Sequence, residues 1–210
     1  LVRRWYRVED PRQRVQLLGM EFPGPVGLAA GFDKDARWFN ALGALGFDHI
    51  EVGTLTGQGQ PGNPQPRLFR LPADRALVNR FGFNNRGSDD AAARLAASDI
   101  EPILGINIGK SKVVPNEEAV ADYLASFDRL APHARYITVN VSSPNTQGLR
   151  ALQEREALSE LLGAIVARNR ERAEQTGSEP LPVLVKIAPD MDEAQRDEIV
   201  ELAVELGLSG

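Results

Sequence analysis

Short β-branched runs alternate along this chain with longer segments of helical period. Five apolar runs, residues 26–32, 49–54, 103–108, 136–142 and 183–189, have the length and composition of strands. Leu158, Leu161, Leu162, Ile165 and Val166 keep helical spacing, as do Ile199, Leu202, Ala203 and Leu206. The alternation predicts parallel βα units in which each helix buries one face. Asp192 followed by Gln195 forms a start signal for the last helix, and Gly207 a stop. Residues 67–71 and 76–79, joined by Pro72-Ala-Asp74, interrupt the pattern and predict a β-hairpin inserted after the second strand. The Gly/Pro-dense stretch 57–66 before it suits a loop over the face where strands end. No fixed-length repeat and no low-complexity linker divides the chain, so one main folding unit is expected.

The sharpest local signal is Tyr136-Ile-Thr-Val-Asn-Val-Ser-Ser-Pro-Asn145, a β-branched run ending in small polar side chains and a proline. Pro144 holds Ser143 extended and stops the strand. Asn140, Ser142, Ser143 and Asn145 are thereby delivered to a strand's C-terminal end, where α/β proteins carry their chemistry.

Composition narrows the choices. The 210 residues fall short of the roughly 250 of a closed eight-stranded α/β barrel. A net charge of -5 without a long basic block argues against nucleic acid as a partner. Without cysteine the chain has no disulfide, zinc-thiolate site, iron–sulfur cluster or cysteine nucleophile. His49 and His133 lie far apart in no ligand pattern, so no metal site is expected. No apolar stretch approaches the roughly 18 residues of a membrane span. The cationic, aromatic start Leu1-Val-Arg-Arg-Trp-Tyr-Arg7 is compatible with a membrane-surface remnant or a solvated terminus.

Three familiar patterns fail on context. Gly57-Gln-Gly-Gln-Pro-Gly62 has dinucleotide-loop letters, but Pro61, Pro64 and Pro66 leave no helix start to hold a pyrophosphate. Gly105-Ile-Asn-Ile-Gly-Lys-Ser111 is one residue short of a P-loop, and no helix follows it. Asn140-Val-Ser142 is a formal glycosylation sequon at a strand end in a cysteine-free chain.

The lysines say more. Arginine is the default cation, and all four lysines follow or end predicted strands: Lys34, Lys110, Lys112 and Lys186. A compact ammonium suits a carboxylate or a developing anion. Lys186, between Val185 and Ile187, calls for an anionic partner, whereas Lys110 and Lys112 read as loop charges. Asn79, Asn107, Asn140 and Asn145 repeat the placement, and amides both donate and accept, as a flat heterocycle with alternating N–H and C=O groups requires.

Several motifs together resemble one family. They are Gly27-Leu-Ala-Ala-Gly-Phe-Asp-Lys34, Glu51-Val-Gly-Thr54, Gln60-Pro-Gly-Asn63, Pro66-Arg-Leu-Phe-Arg70, Asn79-Arg-Phe-Gly-Phe-Asn84, Gly105-Ile-Asn-Ile-Gly-Lys110, Asn140-Val-Ser-Ser-Pro-Asn-Thr146 and Val185-Lys-Ile-Ala-Pro-Asp190. In this order, from about Met20 onward, the chain resembles class 2, quinone-dependent dihydroorotate dehydrogenase. Class 1 enzymes use a cysteine base where this chain has Ser143.

The resemblance implies a (β/α)8 TIM barrel, here about five βα units plus the hairpin, that oxidises (S)-dihydroorotate to orotate in pyrimidine biosynthesis. FMN would take the hydride and a quinone the electrons. Ser143 would remove the C5 proton, with Thr146 and Phe83 shaping its exit. Ala29, Ala30, Gly31, Phe32, Asp33, Thr54, Asn107, Asn140 and Lys186 would contact the flavin. Lys34, Asn79, Arg80, Phe81, Gly82, Phe83, Asn140 and Asn145 would contact the substrate.

Residues 1–19 would be the remnant of a helical extension that docks on the cytoplasmic face of the cell membrane, making the protein peripheral. Residues 20–210 would be the FMN-binding barrel, lacking three strands together with the family's Asn-Thr substrate pair and its FMN-phosphate loops. The final Gly207-Leu-Ser-Gly210 reads as loop, and an open sheet edge would favour association. A related FMN barrel acting on dihydropyrimidine or dihydrouridine, and a non-catalytic truncated fragment, are the alternatives.

Overall fold

The computed structural model describes residues 2–146 and 148–210. Its elements in chain order are α1 (Val2–Tyr6), β1 (Val15–Leu17), β2 (Met20–Phe22), β3 (Gly27–Leu28), α2 (Phe39–Ala44), β4 (His49–Thr56), β5 (Leu68–Leu71) and β6 (Ala76–Asn79). They continue with α3 (Ser88–Ala96), β7 (Ile103–Gly109), α4 (Ala119–Leu130), β8 (Tyr136–Asn140), α5 (Arg155–Thr176), β9 (Val183–Lys186) and α6 (Glu193–Leu206). Five strands form one parallel sheet in the order β3-β4-β7-β8-β9, while β1-β2 and β5-β6 are separate antiparallel pairs. With the hairpins set aside, sheet order equals chain order and a helix lies in each crossover. This is the α/β wall of a barrel.

Alternation within the strands sorts the two faces of the wall. Ile50, Val52, Leu55, Leu104, Ile106, Ile108, Ile137 and Val139 are all 0% exposed and belong to one core with Tyr123, Phe127 and Leu130 of α4 and Leu158, Leu161, Leu162 and Ile165 of α5. Each such side chain contributes roughly 1.5–3 kcal/mol by leaving water. The intervening positions Glu51, Thr54, Asn107, Thr138, Asn140 and Lys186 are polar. Strict alternation would put Glu51 and Thr54 on opposite faces, but the β4–β7 register shifts between Val52 and Leu55, and both side chains reach Asn107. Gly53 permits this: its φ is +106°, and a Cβ there would lie 2.4 Å from the Asn107 carbonyl oxygen.

The long strands, the hairpin and the last two helices match the sequence reading. Asp192 accepts from the Gln195 N–H at 2.9 Å, and Gly207 ends α6 at φ 70°. Four details differ. The first strand is only Gly27–Leu28, because Gly31 at φ +111° turns the chain and its N–H donates across to the Gly53 carbonyl at 2.8 Å. The fifth strand stops at Lys186, opposite Asn140, where β8 also ends. Residues 207–210, expected as loop, return beside β9: Ser209 N–H donates to Val183 O and Val185 N–H to Gly210 O, each at 2.9 Å. One carbonyl and one N–H on the edge of β9 thus capture the chain that Gly207 turns back. Finally, β1 and β2 pair around Leu18 and Gly19, both at positive φ, in a short hairpin that the sequence reading did not anticipate.

Candidate functional site

Strand ends β4, β7 and β8 carry a buried polar cluster. Asn107 is 0% exposed, Asn140 3% and Thr54 4%. Thr54 Oγ1 donates to Asn107 Oδ1 at 2.5 Å, and Asn140 Nδ2 donates to Thr54 Oγ1 at 2.9 Å and to Asn107 Oδ1 at 3.2 Å. Asn107 Nδ2 donates to Glu51 Oε1 at 2.8 Å, and Thr138 Oγ1 donates to Glu51 Oε2 at 3.0 Å. On the far side, Asn140 Oδ1 accepts from the Ser142 N–H at 3.0 Å and from Ser142 Oγ at 2.8 Å. Tyr123 from α4 donates to the Asn140 carbonyl at 2.8 Å, and burial pushes its phenol pKa well up. Burial first, and then Glu51, likewise raise the Tyr136 phenol. Three of the sequence-predicted residues, Thr54, Asn107 and Asn140, thus form one connected unit.

Loops carry the remainder. Ser143, half-buried, accepts from the Asn145 N–H at 3.2 Å, and no carboxylate or imidazole bonds its Oγ among the described residues. Thr146 Oγ1 is buried without a partner among the same residues. Lys34 Nζ stands 4.8 Å from the Phe81 ring centroid. Burial lowers its ammonium pKa from the usual lysine value, Arg67 and Lys186 lower it further, and Asp35 opposes them. Lys186 is exposed beside Asn140 in register.

Asn79 and Arg80 are exposed at the end of β6. Asn79 Oδ1 accepts from the Phe81 N–H at 3.4 Å, and the Arg80 guanidinium donates to the Pro66 carbonyl at 2.9 and 3.1 Å. Gly82 and Phe83 are buried, Phe83 at φ 51°. Ala29, Gly31 and Phe32 are exposed and Ala30 half-buried. A Cβ on Gly31 would meet nothing within 4 Å, so the backbone here is open to a flat ligand. Asp33 differs in character: its carboxylate accepts from the Arg37 and Trp38 N–H groups at 2.8 and 2.7 Å and so shapes its own loop.

The structure adds residues that the sequence reading did not single out. Glu51 is one, although a lone carboxylate in an apolar strand was a usable signal. Gln60 and Asn85 pair through their backbones, and Asn63 donates to the Arg80 carbonyl at 3.1 Å and the Asn145 carbonyl at 3.4 Å. These bonds tie the loop before the hairpin to the Arg80–Phe83 segment and to the Ser143 turn. Lys110 corrects an expectation. It is no loop charge: at 2% exposure it donates to the Ser111 carbonyl at 3.3 Å and to the Val114 carbonyl. Burial lowers its pKa against Asp122 and Glu117. Asp122 in turn accepts from the Ser111 N–H at 2.7 Å and from Ser111 Oγ at 2.9 Å, fixing the turn after β7.

Comparison with known proteins supplies a family for this geometry. The family model described as Dihydroorotate dehydrogenase matches residues 12–210. A protein named dihydroorotate dehydrogenase (quinone) from Thermobifida fusca is 56% identical over 214 residues, covering 100% of this chain and 56% of that protein. Its namesake from Streptomyces coelicolor is 57% identical over 200 residues, covering 94% of this chain and 53% of the relative. The chain therefore spans about half the length of these curated relatives. Among solved structures, the Eimeria tenella DHODH crystallised with ferulenol superposes with a TM-score of 0.90 at 36% identity, covering 100% of this chain and 62% of that one.

Proposed function

Because this chain belongs to the dihydroorotate dehydrogenase family, we propose that the protein it represents oxidises (S)-dihydroorotate to orotate and passes the electrons through FMN to a quinone. The observation that carries the reading is the union of Thr54, Asn107 and Asn140 in one buried cluster beside the Ser143–Asn145 turn. The residues present suit the flavin. Gly31 leaves open space over the backbone, and Asn107 has spent Oδ1 on Thr54 and Asn140 and one N–H on Glu51, so one donor remains for a ring acceptor.

FMN, when bound, accepts the hydride that leaves C6 of the substrate. The chain's own groups do the rest. Ser143 Oγ takes the proton from C5, which is acidified by the neighbouring carbonyl, and so one hydride and one proton leave in all as the double bond forms. A serine must hand on its own proton to serve as base. The Thr146 hydroxyl, two residues beyond Pro144 and without a partner among the described residues, supports an exit along that turn, with buried Phe83 keeping bulk water away.

Lys34 supplies the cation for the substrate carboxylate, and a partly desolvated ammonium beside two other cations gains most from such a partner. Asn79, Asn140 and Asn145 address the pyrimidine edge, held by the loop of Arg80, Phe81 and Gly82. Ala29, Ala30, Phe32 and Asp33 border the flavin, and Lys186 balances negative charge on it. No described helix is long and apolar enough to cross a membrane. We assign contact with the cytoplasmic membrane surface to a helical extension of which residues 1–19 would be the remnant.

The test is the visible spectrum of the purified full-length protein. Flavin bands that bleach on anaerobic addition of dihydroorotate and return with a quinone are expected. Absence of flavin, or bleaching by a dihydropyrimidine and not by dihydroorotate, would replace this reading.

A further inference from the structure

Glu51 has no part in the chemistry above, yet its carboxylate lies at the centre of the polar face. It bonds the side chain of Asn107 on the adjacent strand β7 and that of Thr138 on β8, one strand further across, and abuts the Tyr136 phenol. We propose that Glu51 is a positioning residue that sets the donor–acceptor direction of the whole cluster and thereby makes the one hydrogen it leaves unspent, on Asn107, a donor for the bound ring. The inference rests on the flavin reading of that cluster.

The supply of hydrogens fixes each direction in the cluster. A carboxylate only accepts, so the Asn107 amide must turn Nδ2 toward Glu51 and Oδ1 toward Thr54. With Oδ1 there, Thr54 spends its single hydrogen on Asn107, and its oxygen is left to accept from Asn140 Nδ2 at 2.9 Å. Asn140 is then fixed with Oδ1 toward Ser142, where it accepts from both the N–H and the hydroxyl. Every orientation from Glu51 to Ser142 follows from the first. If Asn107 were reversed, its NH2 would face the Asn140 NH2, donor against donor, across 3.2 Å. The outcome is that Thr54 has no hydrogen left to offer and Asn107 keeps one N–H. The one hydrogen that the cluster leaves unspent is therefore a donor, the kind that suits a carbonyl or ring nitrogen.

The experiment uses the full-length protein, with FMN affinity measured by flavin fluorescence on the stripped protein and Asn107 side-chain amide exchange followed by NMR without ligand. Glu51→Leu is expected to weaken FMN binding by about tenfold or more, the scale of a lost charged hydrogen bond, and to release the Asn107 amide to fast exchange. Glu51→Gln keeps an acceptor for Asn107 and should restore both to within about threefold. If Glu51→Leu does not fold, the exchanged pair Glu51→Gln with Asn107→Asp decides. It restores the bond in the reverse sense but removes the spare N–H, so it should fold and still bind FMN weakly.

Parental FMN affinity in Glu51→Leu or in the exchanged pair, or an Asn107 amide still protected in Glu51→Leu, overturns the proposal. A parent protein that binds no FMN would defeat the flavin reading instead, and the amide exchange would still decide the role of Glu51.

Discussion

The strand-borne and loop-borne halves of the site are built in opposite ways. Thr54, Asn107 and Asn140 are at most 4% exposed, and each has two or more partners in the network. Ser143, Lys34, Asn79 and Asn145 are half-buried or exposed and make one or two weak contacts each. The first group is satisfied before any ligand arrives except for one Asn107 N–H, and the second is not. A resident cofactor calls for the first construction, because a rigid, prepaid surface costs no reordering when it binds. A substrate that must enter and leave calls for the second. Substitutions on strands should therefore lower stability and cofactor affinity together, while those in loops should alter the reaction and leave stability alone.

The largest expected effect lies in the loops. Ser143→Ala removes the base from a turn that keeps its backbone, so flavin reduction by dihydroorotate should fall by about 10²–10⁴-fold. Orotate affinity and melting temperature should stay near the parental values. Stopped-flow reduction measures the first and calorimetry the others. A variant that reduces its flavin at the parental rate would take Ser143 out of the mechanism. One that melts much lower would show that this loop is built like a strand.

Asn107→Leu attacks the other half. It leaves Thr54, Asn140 and Glu51 with unmet groups in a buried place, each such loss costing about 1–3 kcal/mol. Chemical denaturation should show a loss on that scale, and FMN affinity should fall with it. Unchanged stability alongside lost FMN would mean that the cluster is not prepaid, and the contrast between the two regions would fail.

This contrast also governs what the sequence could reveal. The strands were legible because burial on one face forces β-branched residues at alternate positions, and the Tyr136–Asn140 run was plain for that reason. Asn107 and Asn140 stood out as polar residues in apolar company. Glu51 stood out equally, but its purpose depends on a register shift at Gly53 that no periodicity encodes. The loops hid more. Lys110 looks like any loop cation until the chain folds its stem inward, and Asn63 reaches Asn145 across 82 positions of sequence. The β1–β2 hairpin escaped notice because each arm has only three residues, too few for the apolar–polar alternation of Val15–Leu17 and Met20–Phe22 to stand out.

A smaller effect separates binding from stability at one residue. The Lys34 ammonium is disfavoured in the fold, first by burial and then by Arg67 and Lys186. A folded pKa below the unfolded one means that the charged lysine weakens the fold at neutral pH. That cost is relieved as pH rises through the folded value toward the unfolded one. The substrate carboxylate favours the charged form, so orotate affinity should decline over the same range, beginning below the ordinary lysine region. Lys34→Met should therefore raise the melting temperature slightly while weakening orotate by about tenfold. Loss of affinity with a lower melting temperature would place Lys34 among the structural residues.

The weakest expected effect tests the seam between the two regions. Asn63 donates to the carbonyls of Arg80 and Asn145, joining the loop before β5, the substrate loop and the Ser143 turn through one side chain. The bond to Asn145 is long at 3.4 Å, and that to Arg80 is exposed, so little stability depends on either. What they fix is the relative position of two loops that grip one substrate. Asn63→Ala should leave melting and FMN content unchanged and raise the KM for dihydroorotate by about two- to fivefold, the equivalent of one modest hydrogen bond. The limiting rate of flavin reduction should hold, because Ser143 keeps its own turn through the Asn145 N–H. A fall in that rate at constant KM would show that Asn63 acts on the base itself, and the seam would belong to the chemistry and not to the grip.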